Sequence, residues 1–397
     1  MSFLHNPYIG ENDFFRMAND TSLGLNKEML WNGERYVPAY IHVSGLELGP
    51  ALGGCRIHVY GQLSEAEENA EKLSRGMRYK SALANVPFGG GKAVIATDPK
   101  MGKRAKETLL TNFAAFVRSL NGDYITAEDS GTNIRDMEFL FKLMPYVVGT
   151  KMSGNPSPVT AYGVYQGLMA CLAQQGTNSV EGLTIALKGA GSVAESIVFG
   201  FPEKDKRFDA EIRAEFPGLI RMNPAMIHYT DTDTRRASYF KKKAKDLGLG
   251  HKLKAHFAED GEIYDIPGTN VFIPAAARYS ASGDFIDRLA ASGCKIITGC
   301  ENNQLRDREA DMARIQAAGM TYAPDFAINA GGLINVAEEY AARKERREFN
   351  PRTALLRTRE IRETIDNILM VAKQTGKTTL QVAEELAEQR IEQARAA

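Results

Sequence analysis

Two lysines and an aspartate stand in settings that can make them reactive. Lys80 ends the helix-like run "GMRYK", Lys92 follows three glycines in "VPFGGGKAVI", and Asp129 closes the strand-like "DYITAED". An ammonium close to a second positive charge, or partly buried among apolar residues, loses its proton more easily than a free lysine. Such an amine can serve as a general base near neutrality while its neighbour stays charged and grips a carboxylate. A carboxylate at the carboxyl end of a strand sits where open sheets place site residues, and it can pass protons to and from a substrate amine. A glycine loop before a lysine also raises a phosphate-binding loop. That pattern needs glycine at Val86 and Ser or Thr at Ala93, so it fails here. What remains is a lysine presented on bare backbone, open to a small ligand. A plain reading stays open as well: Lys80 as the cation at a helix end, Lys92 as a surface lysine, Asp129 as a helix cap.

A second constellation binds rather than reacts. "TIALKGAGSVAESIV" sets a short apolar strand before Gly189-x-Gly191-x-x-Ala194. The first glycine permits a tight turn, the second lets backbone amides approach a pyrophosphate, and the small third residue lets the helix pack on the sheet. The anion then sits at a helix N-terminus, where free N–H groups and the dipole favour it. The acid expected on the ribose hydroxyls is Asp231 in "MIHYTDTDT". The usual separation is about 20 residues. Here it is about 40, and the excess, "FPEKDKRFDAEIRAEFPGLIRMNP", reads as a polar surface insertion, which loop-closure entropy tolerates. Asp231 favours an unphosphorylated ribose and hence NAD. Arg235 and Arg236 can receive a 2′-phosphate, so NADP stays open.

The elements that must position these residues follow from periodicity. "YVPAYIHVSG" (36–45), "CRIHVYG" (55–61), "KAVIAT" (92–97) and "DYITAED" (123–129) read as strands. Ser64 and Glu67 have the spacing of a capping box at the head of a helix over 64–83. Helices follow over 103–120 and in "NIRDMEFLFKLM". A long helix over 155–176 enters through prolines and closes at Gly176. Beyond it, strands ("MIHYTDT", "NVFIPAA", "CKIITG", "MTYAPDF") alternate with helices, the pattern of a doubly wound parallel sheet. Two amphipathic helices, about 353–374 and 378–395, end the chain.

Bulk properties bound the function. The 397 residues predict two domains. Lys plus Arg equal Asp plus Glu at 49 each, so no global charge pulls the chain toward nucleic acid or an anionic membrane. The first residues, "MSFLHNPYIGENDFF", have neither the basic start nor the apolar stretch of a leader. Four cysteines without a C-x-x-C pair fit a reduced cytoplasmic setting, and six scattered histidines predict no metal site.

Taken in order, "GPALGGCR", "GMRYKSA", "FGGGKAVI", "YITAEDSGT", "SGNPSPVTAYGVY", "KGAGSVA", "NNQL" and "APDFAINAGGLINVAEE" strongly resemble the glutamate, leucine, phenylalanine and valine dehydrogenase superfamily, nearest its leucine/phenylalanine branch. The resemblance implies an α/β fold of two domains with a cleft between them. Residues 1–150 form a substrate-binding and oligomerisation domain, and 151–349 a Rossmann-type doubly wound NAD domain. The helices of 350–397 pack back on the first. It implies reversible oxidative deamination of an L-amino acid to its 2-oxo acid and ammonia, in a homo-oligomer. By the same resemblance Lys80 holds the substrate carboxylate, Lys92 is the catalytic base and Asp129 the proton-transfer acid. Gly53 and Gly54 line the substrate, and Asn302 reaches it or the nicotinamide. Leu52, Ala127, Leu333 and Val336 line a side-chain pocket without a cation, which implies a hydrophobic amino acid. Leu333 leans toward a larger substrate and Ala127 toward an aliphatic one. Gly189, Ala190, Gly191, Ser192, Val193, Asp231, Thr232, Ala275 and Ala276, with Asn302, belong to the cofactor side. Arg278, where glycine is usual, and Glu301, beside the presumed nicotinamide site, depart from the pattern. They leave room for an unusual aromatic (tryptophan-like) substrate, for NADP, or for a non-catalytic ligand-binding relative.

Overall fold

The computed structural model describes residues 22–256 and 261–396. The first residues quoted above lie outside the described residues. In chain order the first half contains β1 (Gly24–Trp31), β2 (Tyr36–Gly45), β3 (Ala51–His58), α1 (Leu63–Leu83), β4 (Gly89–Ala96), α2 (Lys103–Arg118), β5 (Tyr124–Glu128) and α3 (Ile134–Phe141). The strands form one mixed sheet in the order β1-β2-β4-β3-β5. β3 runs parallel to both β4 and β5, whereas β2 runs antiparallel to β1 and β4.

Period-two alternation decides which face each residue of β4 takes. Ala93 and Ile95 face Leu109, Phe113, Phe116 and Val117 of α2. These recur at helical spacing and form one apolar stripe. Val94 packs on the other face with Ala66 and Ala70 of α1. Lys92 has the register of Val94 and so shares the α1 side.

Here the structure corrects the sequence reading. The three glycines are not a loop: Gly89, Gly90 and Gly91 are already strand, and β3 likewise starts at Ala51 rather than Cys55. Glycine is needed for close approach. A Cβ on Gly53 would lie 1.7 Å from the Gly91 carbonyl oxygen, and one on Gly91 would meet the Tyr124 ring at 2.8 Å. The expected capping box at Ser64 does not form, because α1 starts one residue earlier with Gln62 as its uncapped N-cap. A capping box does form at α3, between Asn133 and Asp136. Strand β1 was not foreseen.

The second half runs α4 (Ser157–Gln174), β6 (Thr184–Lys188), α5 (Ser192–Phe199), α6 (Ala210–Glu215), β7 (Met226–Thr230), α7 (Thr234–Asp246), β8 (Leu253–Ala255), β9 (Thr269–Pro274), α8 (Asp284–Ser292), β10 (Ile296–Ile297), α9 (Arg308–Ala317), β11 (Thr321–Tyr322), α10 (Asp325–Ile328) and α11 (Gly331–Lys344). Its strands make an all-parallel sheet in the order β11-β10-β9-β6-β7-β8. That is the Rossmann order, with the switch point between β6 and β9. The chain closes with α12 (Pro351–Arg359), α13 (Ile361–Thr375) and α14 (Thr379–Ala396), so the helix expected over 353–374 is two, divided at Glu360. α12 and α13 pack on α4, whereas α14 packs on α1. Arg390 of α14 donates to the carbonyls of Ala82 and Leu83 at 2.9 and 2.6 Å, capping the end of α1 that carries Lys80.

The segment read as a surface insertion is not one. Phe208, Ile212, Phe216, Leu219 and Ile220 are buried, and Phe201 stacks on Phe208 while Phe216 stacks on Tyr165. The charged residues between them hid an apolar set that only becomes contiguous when the segment folds back. Among the described residues no helix is long and apolar enough to cross a membrane.

Candidate active site

Three elements of the first sheet bring the reactive groups together. Lys92 sits inside β4 and is 7% exposed. Asp129 follows β5 directly. Its carboxylate accepts from the Lys92 ammonium, and the Arg56 Nε of β3 lies 3.3 Å from the same oxygen. The backbone completes the cradle: Ser130 N–H donates to Asp129 Oδ1 at 2.7 Å, and the Thr132 hydroxyl accepts from Asp129 N–H at 2.8 Å. The Tyr124 phenol donates to the Gly53 carbonyl at 2.6 Å, fixing the backbone of β3 beside the site. Burial pushes that phenol well above its ordinary value, so it stays a donor.

The electrostatics follow from this packing. Burial lowers the Lys92 ammonium from its ordinary value and Arg56 adds to the effect, while Asp129 opposes it. Burial alone would raise Asp129, but Lys92 and Arg56 outweigh it and hold the carboxyl well below the usual range. The positive charge that weighs most on Lys92 is therefore Arg56, not Lys80 as the sequence reading had it. Lys80 is half-buried at the end of α1. Burial pushes it down to about 8, Asp325 opposes that, and Lys92 adds to it.

Lys80 also joins the two halves of the molecule. Its ammonium donates to Asn302 Oδ1 at 3.1 Å, and Asn302 follows β10 in the second sheet. Asn329 Nδ2 holds the same oxygen at 2.9 Å and the Cys300 carbonyl at 3.1 Å. Asp325 accepts from Asn303 N–H at 2.5 Å and fixes the turn. Arg56, Tyr124, Thr132, Asp325 and Asn329 were missed from sequence. Arg56 had a signal: two residues beyond Gly54 on one strand, it takes the same face.

The residues expected from sequence to line a side-chain pocket fall on neighbouring elements. Leu52 and Gly54 of β3 pair with Ile125 and Ala127 of β5. Leu333 and Val336 lie on one face of α11, with Leu52 in the same buried cluster and Ala127 packed against it. A Cβ on Gly149 would lie 3.9 Å from Val336 and 4.0 Å from the Glu128 amide, so α11 reaches the end of β5.

The second sheet accommodates a dinucleotide. Gly189 has φ +107°, and a Cβ there would meet the Ala275 carbonyl oxygen at 2.5 Å, so the β6 and β9 turns touch at the switch point. α5 begins at Ser192 and Val193 with no side-chain cap on Gly191, and nothing lies within 4 Å of a Cβ on Gly191. Its first amides are thus open to an anion. Asp231 stands one residue past β7, and one of its oxygens accepts from Ala190 N–H at 2.7 Å, tying the end of β7 to the glycine turn. Thr232 beside it is exposed. Asn329 Oδ1 is buried without a partner, an acceptor left for a bound group. These features fit the cofactor.

Neither departure disturbs this arrangement. Glu301 is buried. It accepts from Ala276 N–H at 3.1 Å, Ser280 N–H at 2.9 Å and the Ser280 hydroxyl at 2.6 Å, so it braces the turn after β9. Arg278 is exposed and lies over the Tyr279 ring. Arg235 pairs with Asp233 and is fully out in solvent.

Comparison with known proteins agrees with this geometry. Residues 28–146 match the family profile "Glu/Leu/Phe/Val dehydrogenase, dimerisation domain", and residues 154–397 match "Glutamate/Leucine/Phenylalanine/Valine dehydrogenase". The chain is 37% identical to leucine dehydrogenase of Bacillus subtilis over 363 residues, covering 90% of this chain and 88% of that protein. It is 34% identical to phenylalanine dehydrogenase of Caldalkalibacillus thermarum, covering 99% of this chain and 94% of the other. Its fold superposes on the crystal structure of L-tryptophan dehydrogenase from Nostoc punctiforme with TM-score 0.71 and 30% identity, over 91% of this chain and 94% of that one. A buried amine paired with a carboxylate, a second lysine that reaches the other sheet, and a parallel sheet with an uncapped helix start are compatible with that family's chemistry. The chain belongs to the glutamate/leucine/phenylalanine/valine dehydrogenase family and is an amino-acid dehydrogenase.

Proposed function

We propose that this enzyme catalyses the reversible, NAD-dependent oxidative deamination of a hydrophobic L-amino acid. The observation that carries the reading is the pair Lys92–Asp129 facing Lys80, with Lys80 already reaching Asn302 of the nucleotide-binding half. Lys80 grips the substrate carboxylate, with Gly53 and Gly54 lining its approach. Asp129, ionised at rest, takes a proton from the α-ammonium and leaves a free amine. A nicotinamide cofactor held by the α5 amides and Asp231 would supply the acceptor for the hydride leaving Cα. Lys92, its proton loosened by burial and Arg56, then deprotonates a water that attacks the resulting iminium carbon. The carbinolamine collapses as Asp129 and Lys92 return protons to the departing ammonia. Asn302, braced by Asn329, sets the distance between the two halves, and closure excludes bulk water.

Leu52, Ala127, Leu333 and Val336 offer only hydrocarbon to the side chain, which supports leucine, valine or phenylalanine over glutamate. Asp231 supports NAD, because its carboxylate repels a 2′-phosphate and Arg235 is already engaged by Asp233. The likeness to an L-tryptophan dehydrogenase supports a bulky aromatic substrate as the second reading. We also infer a homo-oligomer, on the matched dimerisation domain, and a reducing cytoplasm, on four unpaired cysteines. The test is NADH or NADPH formation followed by absorbance against a panel of L-amino acids. Turnover of leucine, valine or phenylalanine with NAD is the expected result. Preference for glutamate would overturn the pocket assignment, and activity with tryptophan alone selects the second reading.

The carboxylate anchor has a pH signature. Lys80 binds only when protonated, so its grip is complete at low pH and fades as pH rises through about 8. Affinity for the 2-oxo acid, titrated with NADH present and ammonia absent, is expected to fall toward about tenfold per pH unit above that value. In Lys80→Gln the affinity should be weak and flat with pH. A mutant that keeps the wild-type profile removes Lys80 from carboxylate binding.

A further inference from the structure

The segment joining α5 to β7 does more than fill space. Its Arg207 is fixed by Asp205, which accepts from Nε at 3.0 Å and from Nη2 at 2.6 Å. The guanidinium donates to the carbonyl of Ser153 and, at 2.7 Å, to that of Asn155. Those residues are the crossover by which the chain leaves the first sheet for α4. Gly154 between them has φ +66°, and a Cβ there would lie 2.9 Å from the Arg207 Cζ. On the other side α11 grips the same crossover. The Ser153 hydroxyl donates to Glu339, and Asn335 Nδ2 donates to the Ser153 carbonyl at 3.3 Å.

The same segment is welded to α5. A Cβ on Gly200, the residue after α5, would meet the Phe216 carbonyl oxygen at 2.7 Å, and one on Gly218 would lie 2.3 Å from the Phe199 carbonyl carbon. Its far end is tied to the terminal helices, with Arg352 on Asp209 and Glu211 at 2.8 and 2.7 Å, and Arg359 on Glu215 at 2.6 Å. One rigid unit therefore starts at the open N-terminus of α5 and ends on the crossover between the sheets.

We propose that Arg207 is a positioning residue that couples dinucleotide binding at α5 to the domain closure that completes the amino-acid site. The proposal rests on the dinucleotide reading of α5. An anion that draws on the α5 amides moves, or locks, a helix whose other end carries the clamp. The clamp then sets the conformation of Ser153–Asn155. The coupling is reciprocal, so amino acid must tighten dinucleotide by the same factor.

The test uses NADH with the amino acid that has the lowest KM in the substrate panel, a pair of reduced partners that cannot react. NADH fluorescence gives Kd with and without saturating amino acid, and the ratio is the coupling factor. Wild type should give about fivefold or more. Arg207→Ala should bring the factor below about twofold with the Kd for NADH alone unchanged, and Arg207→Lys should restore part of it. Arg352→Ala, at the half-exposed outer anchor, should lower it partially and serves if Arg207→Ala does not fold. A wild-type factor near one, or wild-type coupling in folded variants, overturns the proposal alone. Failure of wild type to bind either NADH or NADPH overturns the dinucleotide reading and this proposal with it.

Discussion

Lys92→Ala is expected to lower kcat for oxidative deamination by about 10³-fold or more, within the range a positioned general base contributes. The loss should fall on kcat rather than on KM, because Lys80, not Lys92, carries the substrate carboxylate in the proposed mechanism. The fold should survive. Removing the ammonium does not orphan Asp129, which keeps Arg56 Nε at 3.3 Å and the Ser130 amide at 2.7 Å. It also removes a buried charge that the fold must desolvate. Lys92→Met keeps the aliphatic stem in its place on β4 and separates packing from chemistry: it should melt close to wild type and be as inactive as Lys92→Ala. Steady-state kinetics and thermal melts of both variants decide the matter. A kcat within about tenfold of wild type removes Lys92 from the role of base.

The second large effect is on stability. Glu339 of α11 is fully buried. It accepts from the amides of Gly149 at 3.0 Å and Thr150 at 3.2 Å, from the Thr150 hydroxyl at 2.8 Å, and from Ser153 and Arg343. Arg343 also donates to the Val147 carbonyl at 2.6 Å and lies over the Phe141 ring. A single carboxylate thus holds the end of the first sheet, the crossover and α11 together. Glu339→Ala leaves the Arg343 charge half-buried and several donors unpaired, a change that costs about 3–5 kcal/mol in comparable buried pairs. At about 2–4 °C per kcal/mol, Tm should drop by about 10 °C. Glu339→Gln keeps the shape and part of the hydrogen bonding, so it should lose less. Urea melts give the free energies directly, and a loss below about 1 kcal/mol would show that the crossover is held elsewhere.

Both predictions turn on contacts that are unequally visible in sequence. The residues that cluster in the site were legible. Lys80, Lys92 and Asp129 stand out because a cation at a helix end, a cation behind glycines and an acid at a strand end are local patterns. Gly189-x-Gly191 was legible for the same reason: a positive φ and an uncapped helix start are properties of a few consecutive residues. The charge that perturbs Lys92 was not. Arg56 lies on another strand, and it meets Asp129 only because β3 runs between β4 and β5. The three glycines were misread for a related reason. Glycine is needed both in turns and where backbones approach closely, and only the neighbour, here Gly53 against the Gly91 carbonyl, tells which.

The segment between α5 and β7 shows the limit most clearly. Its charges suggested a solvated loop, yet its phenylalanines find Tyr162 and Tyr165 of α4, and its arginine finds the crossover. The apolar residues did carry a signal, since Phe208, Ile212, Phe216 and Leu219 recur at i, i+4, i+8 and i+11, but the dense charges between them masked it, and only the folded segment shows which neighbours they meet.

The chain alone determined the class of fold, the parallel nucleotide-binding half, and the chemistry on offer: two amines, a carboxylate and an anion-ready helix start. Those depend on short-range spacing and on backbone conformations that few residue types permit. Tertiary structure decided which charge perturbs which amine, that Glu301 accepts hydrogen bonds from the turn after β9, and that Lys80 and Asn302 meet across the two sheets. Each of these depends on distances between groups far apart in sequence, and only burial, by stripping water from them, gives those distances their energetic weight.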